Sequence, residues 1–326
     1  MFSSISKLAS AQQQQAMRWL RFIFCSALLV VAAELVQAQS NQSGINPIWI
    51  VSLTDRQSER ELAREVLKEL RGSTLVLTPL ELPPISARAT YISVGAQSLE
   101  ALVTSRRSGA VLSLLTTKAS FLSLTSGAAA AAAADVNYSA IFVDPNPRDL
   151  MRLAVAIFGE DSTFGVMSTT HAATSKQELQ TLASELRVRL LIEELSVDVT
   201  SQRADKGDVL RAQRVLASAQ ALLALPDPGI YLSETIVPIV MTGLRRNQPI
   251  IGFSRGMVAS GALATTYTPT PWLVKEVERC LLRLRETGKL CTPQGAKSFA
   301  VDINSAVARS LGIQIPETAQ AMRRLP

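Results

Sequence analysis

The sharpest chemical signal in the sequence is a serine between two glycines, in the run Gly252-Phe253-Ser254-Arg255-Gly256. This spacing matches the nucleophile elbow of α/β-hydrolases, where a serine on a tight turn after a strand attacks an ester or amide. The attack needs a histidine that follows the serine in the chain, and the single histidine, His171, precedes it. The motif therefore predicts a tight turn that brings backbone N–H groups toward a ligand, not a catalytic serine.

The other residues that could carry chemistry are too scattered to assemble a reaction. Glu193-Glu194 falls on a predicted strand, where neighbouring side chains point to opposite faces, and Glu160-Asp161 falls in a turn. The sequence has no phosphate-binding glycine loop, and no Cys-x-x-Cys pair or Cys/His cluster that would hold zinc. We therefore expect no enzyme activity, no metal and no cofactor.

The first 38 residues have the composition of a signal peptide. Residues 22–33 are an apolar run, and Val36-Gln37-Ala38 supplies a small-x-small cleavage site. The basic residues that precede the run are Lys7, Arg18 and Arg21. A membrane anchor is the alternative, but a spanning helix needs about 20 apolar residues, and Glu34 interrupts this run. The sequence predicts cleavage after Ala38 and a soluble mature protein in the periplasm.

Two cysteines remain after such a cleavage, Cys280 and Cys291. In an oxidising compartment they could pair as a disulfide. The competing interpretation makes Cys280 a buried helix residue and Cys291 a free thiol in a loop. The sequence leaves both open.

Length and charge set the overall organisation. A chain of 326 residues, 47% of them hydrophobic, exceeds the size at which one core stops growing, so two domains with a cleft between them are expected. The formal net charge of +6 is a mild excess. Its arginine pairs lack the interleaved aromatic residues that stack on bases, so no nucleic-acid partner is expected.

From Ile45 onward, short β-branched runs alternate with longer amphipathic stretches. This order predicts parallel strands connected by helices. One series of strands and helices ends near Asp144, and a second of similar length begins at Pro147. The fold class is therefore α/β, with two βα halves of similar length.

A small polar or glycine-containing turn follows each predicted strand. Ligands of open α/β sheets bind at the carboxyl ends of the strands, where helix N-termini offer donors suited to carboxylates or other anions. Ser and Thr in such turns also cap helices for structural reasons, which is the competing interpretation. The predicted ligand-binding residues are Ser52, Thr54, Gly95, Ala96, Thr116, Ser168, Thr169, Asp227, Phe253 and Ser254. His171, in a polar loop, is either a further contact or simply exposed.

Several segments together resemble one protein family. They are Leu225-Pro226-Asp227-Pro228, Pro249–Ser254 with Gly261-Ala262-Leu263, and Val301-Asp302-Ile303-Asn304 with Ala308, Leu311-Gly312-Ile313 and Ile315-Pro316. They look like the substrate-binding family of ABC transporters that includes the tryptophan-binding, TrpX-like proteins. The resemblance covers about residues 140–316.

The resemblance implies a type I periplasmic-binding fold, in which two Rossmann-like lobes with parallel sheets close on a ligand and the chain crosses the hinge between them three times. The N-terminal lobe would comprise residues 45–144 plus 270–292, and the C-terminal lobe residues 147–265 plus 297–316. Asp227, Phe253 and Ser254 would face the ligand from the second lobe. The turn Thr116-Thr117-Lys118 departs from the family by lacking an aromatic or proline-containing segment. Tryptophan as the ligand does not follow. The aromatic residues that could line a pocket are Tyr138, Tyr231, Phe253 and Tyr267.

The function implied by this resemblance is capture of a small molecule in the periplasm and its delivery to an inner-membrane ABC permease, by a monomer. The alternative keeps the fold and drops transport. In that case the protein is a sensory or regulatory module that docks on an envelope receptor or sensor. A permease and an ATPase encoded nearby would support uptake, and a sensor kinase or outer-membrane receptor would support regulation.

Overall fold

The computed structural model describes residues 47–82, 89–106, 108–127, 136–170, 172, 174–198, 200–201 and 203–325. The predicted signal peptide and His171 lie outside the described residues. In chain order the strands are β1 (Ile48–Val51), β2 (Ser73–Val76), β3 (Thr90–Val94), β4 (Gly109–Leu114), β5 (Val136–Phe142), β6 (Thr163–Ser168), β7 (Arg189–Glu194), β8 (Ala221–Leu223), β9 (Ile250–Ile251), β10 (Ala264–Tyr267), β11 (Gln294–Gly295), β12 (Phe299–Ile303) and β13 (Arg323–Arg324).

The α-helices connect or cover these strands. They are α1 (Gln57–Glu69), α2 (Ala96–Thr104), α3 (Lys118–Thr125), α4 (Pro147–Phe158), α5 (Lys176–Glu185), α6 (Lys206–Val215), α7 (Ser233–Arg245), α8 (Arg255–Ala259), α9 (Thr270–Thr287), α10 (Ser305–Ser310) and α11 (Glu317–Gln320). Among the described residues, no helix combines the length and the apolar character needed to cross a bilayer.

The strands form two sheets that begin with the same pattern. The first sheet has the order β2-β1-β3-β4-β5-β11, and all its pairs are parallel. The second has the order β7-β6-β8-β9-β10-β12-β13, in which β12 and β13 pair antiparallel. Each lobe therefore has five parallel strands in the order 2-1-3-4-5, as a doubly wound fold does. The predicted α/β architecture with two Rossmann-like lobes is confirmed.

The strands are apolar because helices cover both faces of each sheet. Every residue of β3 is buried. Helices α1, α4, α6 and α9 each pack a stripe of apolar residues beside the sheets. The late helix α9 returns to the first lobe, where Leu273, Val277 and Leu281 pack in one cluster with Ile50 and Val66. A disulfide joins Cys280 in α9 to Cys291, with their Cα atoms 5.1 Å apart. The disulfide links α9 covalently to the segment that precedes β11.

Two predicted boundaries are wrong. The sequence pattern predicts a helix over residues 208–221, but α6 ends at Val215 and a short 3₁₀ turn follows over Leu216–Ser218. Ala221 already begins strand β8, so the last residue of the predicted helix belongs to a strand. The predicted strand over residues 250–253 stops at Ile251, because Gly252 and Phe253 already turn toward α8.

The chain passes between the two sheets three times, after β5, after β10 and after β11. The second and third crossing segments are bonded together, since Thr268 Oγ1 donates to the carbonyl oxygen of Ser298 over 2.7 Å. The buried carboxylate of Glu276, on α9, accepts from the backbone N–H groups of Lys297 and Ser298 and from the Ser298 hydroxyl. These contacts connect the second and third crossing segments into one hinge.

The C-terminal strand also braces this hinge. Arg324, on β13, donates to both carboxylate oxygens of the buried Asp149 over 2.8 and 3.2 Å, and to the carbonyl oxygen of Lys297. Its guanidinium also lies 5.2 Å from the centroid of the Phe299 ring. One side chain thus connects the start of α4, the third crossing and β12.

Candidate ligand-binding cleft

A cleft at the hinge lies between the two lobes and has two compartments. The hinge compartment, of about 500 Å³, is lined by residues of all three crossing segments. The turn compartment, of about 330 Å³, is lined by turns that follow strands in both lobes. Four residues line both compartments: Val143, Asp144, Phe253 and Ser254. The two compartments are therefore parts of one interlobe site.

A larger hollow, of about 730 Å³, lies on the first lobe between the end of α1 and α9. Its walls carry exposed charged side chains such as Arg71, Lys275 and Arg285, and both walls belong to the same lobe. Movement of the lobes would not close it over a ligand. The interlobe cleft is therefore the better candidate site, because ligand pockets favour domain interfaces.

The second lobe gives the turn compartment an aromatic wall. The rings of Tyr231 and Phe253 meet edge to face with their centroids 5.5 Å apart. The Tyr231 hydroxyl is buried and has no hydrogen-bond partner among the described residues. Burial first, and the nearby carboxylate of Asp227 second, raise the pKa of Tyr231 above its ordinary value. The group is therefore a neutral hydroxyl with an unused donor and acceptor.

Asp227 lines the same compartment, but its carboxylate is already saturated by its own lobe. Oδ2 accepts from the backbone N–H of Thr169 over 2.7 Å, and Oδ1 accepts from Thr169 Oγ1 and from the N–H of Gly229, each over 2.9 Å. A buried carboxylate is stable only when such donors replace water. Asp227 therefore ties the turn after β6 to the turn after β8.

Asp144 follows β5 and lies where the first crossing begins. Its Oδ2 accepts from the backbone N–H of Lys118 over 2.7 Å, at the start of α3. Its Oδ1 accepts no hydrogen bond from the described residues. Burial raises the pKa of Asp144, and the Lys118 N–H and ammonium oppose that rise more weakly. Asp144 thus presents a partly desolvated oxygen to both compartments.

Ser254 does not have the geometry of a nucleophile. Its Oγ accepts from the backbone N–H of Met257 over 3.3 Å and caps the short helix α8. The neighbouring Arg255 is directed to Asp302, with Nε 3.0 Å from Oδ2, and its guanidinium lies 4.9 Å from the Tyr267 ring centroid. In the hinge compartment the buried Thr266 Oγ1 has no partner among the described residues. None of these described groups accepts a proton from Ser254 Oγ, so we interpret them as binding groups and not as catalytic ones.

Comparison with known proteins decides the fold. The chain is similar to a substrate-binding protein with adhesive properties from Clostridium difficile in its ligand-free, open structure, with 13% identity over 83% of this chain and 96% of the other, and a TM-score of 0.60. It is also similar to an ABC domain from Streptococcus pneumonia in complex with L-Trp, with 14% identity over 83% and 97% of the two chains, and a TM-score of 0.52. The chain has the type I periplasmic-binding fold.

A third solved structure, a conserved domain protein from Vibrio cholerae, agrees with this fold at 16% identity over 85% and 97% of the two chains, with a TM-score of 0.54. No protein-family model matches the sequence. No curated protein matches it either. At these identities the similarity establishes the fold, and the ligand must be argued from the cleft itself.

The periplasmic-binding fold brings together the second-lobe residues named from the sequence. Asp227, Phe253 and Ser254 all line the turn compartment. Thr169 is bonded to Asp227, and Ser168 lies with Asp227 around a small internal pocket. Which of these residues touches a ligand stays a prediction.

The first-lobe residues named from the sequence lie away from both compartments. Ser52, Thr54 and Thr116 are buried. The Thr116 hydroxyl lies 2.7 Å from Ser113 Oγ, and Thr54 Oγ1 accepts from the N–H of Arg56. These bonds are the structural roles that the competing interpretation assigned to such turns.

Gly95, which directly precedes α2, is covered by the carboxylate of Glu59. Its φ of +84° requires glycine, and a Cβ atom at this position would overlap Glu59. A carboxylate at the start of a helix is electrostatically favourable. The Glu59 carboxylate therefore occupies the position before Ala96 where the sequence predicted a ligand contact.

Sequence reasoning selected the turn that contains Thr116 and Thr117, and Thr117 lines the turn compartment. It did not select Ser120 or Asp144, which also line that compartment. Asp144 comes two positions after the last residue of β5, so the rule that selected the other turns also applies to it.

Proposed function

We propose that this chain is an exported solute-binding protein that captures a small molecule between its lobes and delivers it to an ABC-type permease. One observation carries the proposal. Both lobes line a single hinge cleft that contains buried hydroxyl groups, Tyr231 OH and Thr266 Oγ1, without partners among the described residues. Buried polar groups normally find a partner, so a ligand is the natural one.

Closure of the lobes follows from this arrangement. Thr117 and Ser120 of the first lobe face Tyr231 and Phe253 of the second across the turn compartment. A ligand that contacts both walls binds the closed state more tightly and shifts the population toward it. The three crossing segments are the part of the chain where such a rotation would occur.

The proposed role is binding without catalysis. Ser254 caps α8, and no basic group accepts a proton from its Oγ among the described residues. The described residues also contain no group of three His, Cys, Asp or Glu side chains arranged to hold a metal ion. A fluorophosphonate probe is therefore expected to leave Ser254 unlabelled, and stoichiometric labelling would contradict this part of the proposal.

Capture can be tested on the protein purified without its first 38 residues. Native mass spectrometry should find a co-purified small molecule, or a thermal-shift panel of amines, amino acids, peptides, purines and organic acids should find a compound that raises Tm with its concentration. Small-angle scattering should then show a smaller radius of gyration with that compound. Binding without compaction would contradict capture between the lobes.

Docking on an envelope receptor is the second candidate, because the first-lobe turns around Gly95 and Thr116 are closed by the protein's own side chains. Crosslinking in intact cells distinguishes the two. Capture of a permease subunit supports delivery. Capture of a sensor kinase or an outer-membrane receptor, with no permease, supports the docking module.

A further inference from the structure

Two carboxylates of the protein itself occupy backbone donors beside the cleft. Asp144 accepts from the first N–H of α3, and Asp227 accepts from the N–H groups of Thr169 and Gly229. Helix starts and turns of this kind would otherwise attract an anionic ligand. A ligand anion would therefore meet side-chain carboxylates here instead of free N–H groups.

The other charges that line the hinge compartment are paired. Asp149 is held by Arg324, and Arg255 is held by Asp302. Asp144 forms no salt bridge within 4 Å among the described residues, and its Oδ1 accepts no hydrogen bond from them. Lys118 acts on it electrostatically from the start of α3, without a direct ion pair. Neither Asp144 nor Asp227 forms a salt bridge among the described residues, but Asp227 accepts three hydrogen bonds and Asp144 only one, so Asp144 is the cleft carboxylate with an oxygen left for a ligand.

No lysine or arginine lines the described part of the turn compartment, whereas two aspartates, Asp144 and Asp227, do. The rest of its wall is mainly apolar or aromatic, with Val143, Tyr231 and Phe253 nearby. The unpartnered Tyr231 hydroxyl is buried in the same wall. This combination of one exposed carboxylate oxygen, one neutral hydroxyl and two aromatic rings is complementary to an organic cation.

We propose that the cleft binds a small organic cation, a protonated amine on an apolar body, with the ammonium on Asp144 and the body against Phe253 and Tyr231. This inference rests on the proposed solute-binding function and names its ligand class. An N–H of the ammonium donates to Asp144 Oδ1, and Tyr231 OH can accept another. Carboxylate ligands are excluded by repulsion from Asp144 and Asp227, which costs more in a partly desolvated site than in water.

The test uses three probes of one shape that differ in their end group: 2-phenylethylamine, 2-phenylethanol and 3-phenylpropionate. The affinities are measured by isothermal titration calorimetry on the protein without its first 38 residues. The amine should bind at least about tenfold more tightly than the alcohol, because one buried hydrogen bond to a charged group is worth that factor or more. The carboxylate should not bind measurably.

Asp144→Asn is the decisive variant, because an amide keeps an acceptor for the Lys118 N–H and removes the charge. This variant should lose the preference for the amine over the alcohol. Its melting temperature should equal or exceed that of the unchanged protein. Asp208→Asn is the matched control. It removes the same charge from a carboxylate paired with Arg211 on α6, away from the cleft, and should leave the preference intact.

Three results would overturn the inference: binding of the carboxylate at least as tight as that of the amine, an unchanged amine preference in Asp144→Asn, or no binding of any amine in the panel at millimolar concentration. A compound of another class that compacts the protein in solution would overturn the cation assignment and leave capture between the lobes standing. A bound amine that causes no compaction would overturn capture between the lobes and leave the cation assignment standing.

Discussion

The two lobes share one topology and differ in what they offer a ligand. Both contain five parallel strands in the same order. The second lobe leaves its turns accessible, with Phe253, Ser254 and Asp227 on the cavity wall. The first lobe closes Gly95 and Thr116 with Glu59 and Ser113. A repeated backbone therefore does not imply a repeated binding surface.

One carboxylate in each lobe makes the difference concrete. Asp227 receives three hydrogen bonds from its own lobe, whereas Asp144 receives one and keeps an oxygen without a partner among the described residues. Asp227 should therefore contribute mainly to stability, and Asp144 mainly to binding. Four changes test this contrast and the framework around it.

The largest effect is expected from Asp227→Ala. The change leaves the N–H groups of Thr169 and Gly229 and the Thr169 hydroxyl without their acceptor, at about 1–3 kcal/mol for each buried group that stays unpaired. We expect a loss of about 4 kcal/mol in the free energy of unfolding, measured by urea denaturation. If Asp227→Ala destabilised the protein no more than Asp144→Asn does, the proposed difference between the two carboxylates would be removed.

Removal of the disulfide by Cys280→Ser with Cys291→Ser should cost about 3 kcal/mol, because a short cross-linked loop restricts the unfolded chain. The loss should be local to the first lobe. Hydrogen exchange followed by mass spectrometry should show α9 losing protection while α4 and α5 keep theirs. Equal loss of protection in both lobes would contradict the independence of the two cores.

Arg324→Ala should cost about 1–2 kcal/mol. It leaves the buried Asp149 unpaired, but the Arg324 side chain is 43% exposed, so solvent reduces the effect. The unfolding temperature should fall, and the ligand-free protein should sample a wider range of lobe angles in small-angle scattering. Arg323→Ala is the matched control, since Arg323 has no ion pair within the described residues. Equal effects of the two changes would rule out a bracing role for Arg324.

The smallest effect concerns the pH dependence of stability. Burial raises the pKa of Asp144, so the folded protein binds this proton more tightly than the unfolded chain does. Stability of the ligand-free protein should therefore fall as pH rises from below the ordinary aspartate pKa, near 3.9, through the raised value. Asp144→Asn should gain stability at neutral pH and lose that gain in acid.

Asp149, whose pKa is raised for the same reason despite Arg324, adds a similar dependence in both proteins and cancels in the comparison. Urea denaturation at a series of pH values measures the difference. A gain in Asp144→Asn that persists unchanged below pH 3.9 would show that ionisation of Asp144 is not its cause.

The sequence predicted the parts of this fold that depend on local pattern. The doubly apolar run at Ile48–Val51 is a buried parallel strand, and α4 begins and ends at Pro147 and Phe158. Each of these depends on periodicity or capping within a few residues. For the same reason the turns of the second-lobe site were found by position alone.

What the sequence could not predict depends on contacts between distant residues. Glu59 reaches Gly95, Asp227 reaches Thr169, and Asp144 reaches the N–H of Lys118. No local pattern shows that a carboxylate from one turn fills the donor site of another. The proposed preference for an organic cation depends on these contacts, and the sequence alone did not indicate it.

The position of the last chain segment has a consequence for the order of events during synthesis. The core of the first lobe lacks α9 until Thr270 and the residues after it have emerged, and the second sheet lacks β12 until still later. Asp149 meets its partner only when Arg324, 175 residues further on, is present. A nascent chain therefore stays incomplete in both halves until translation has almost ended, and the proposed export would have that interval in which to begin on an unfolded chain.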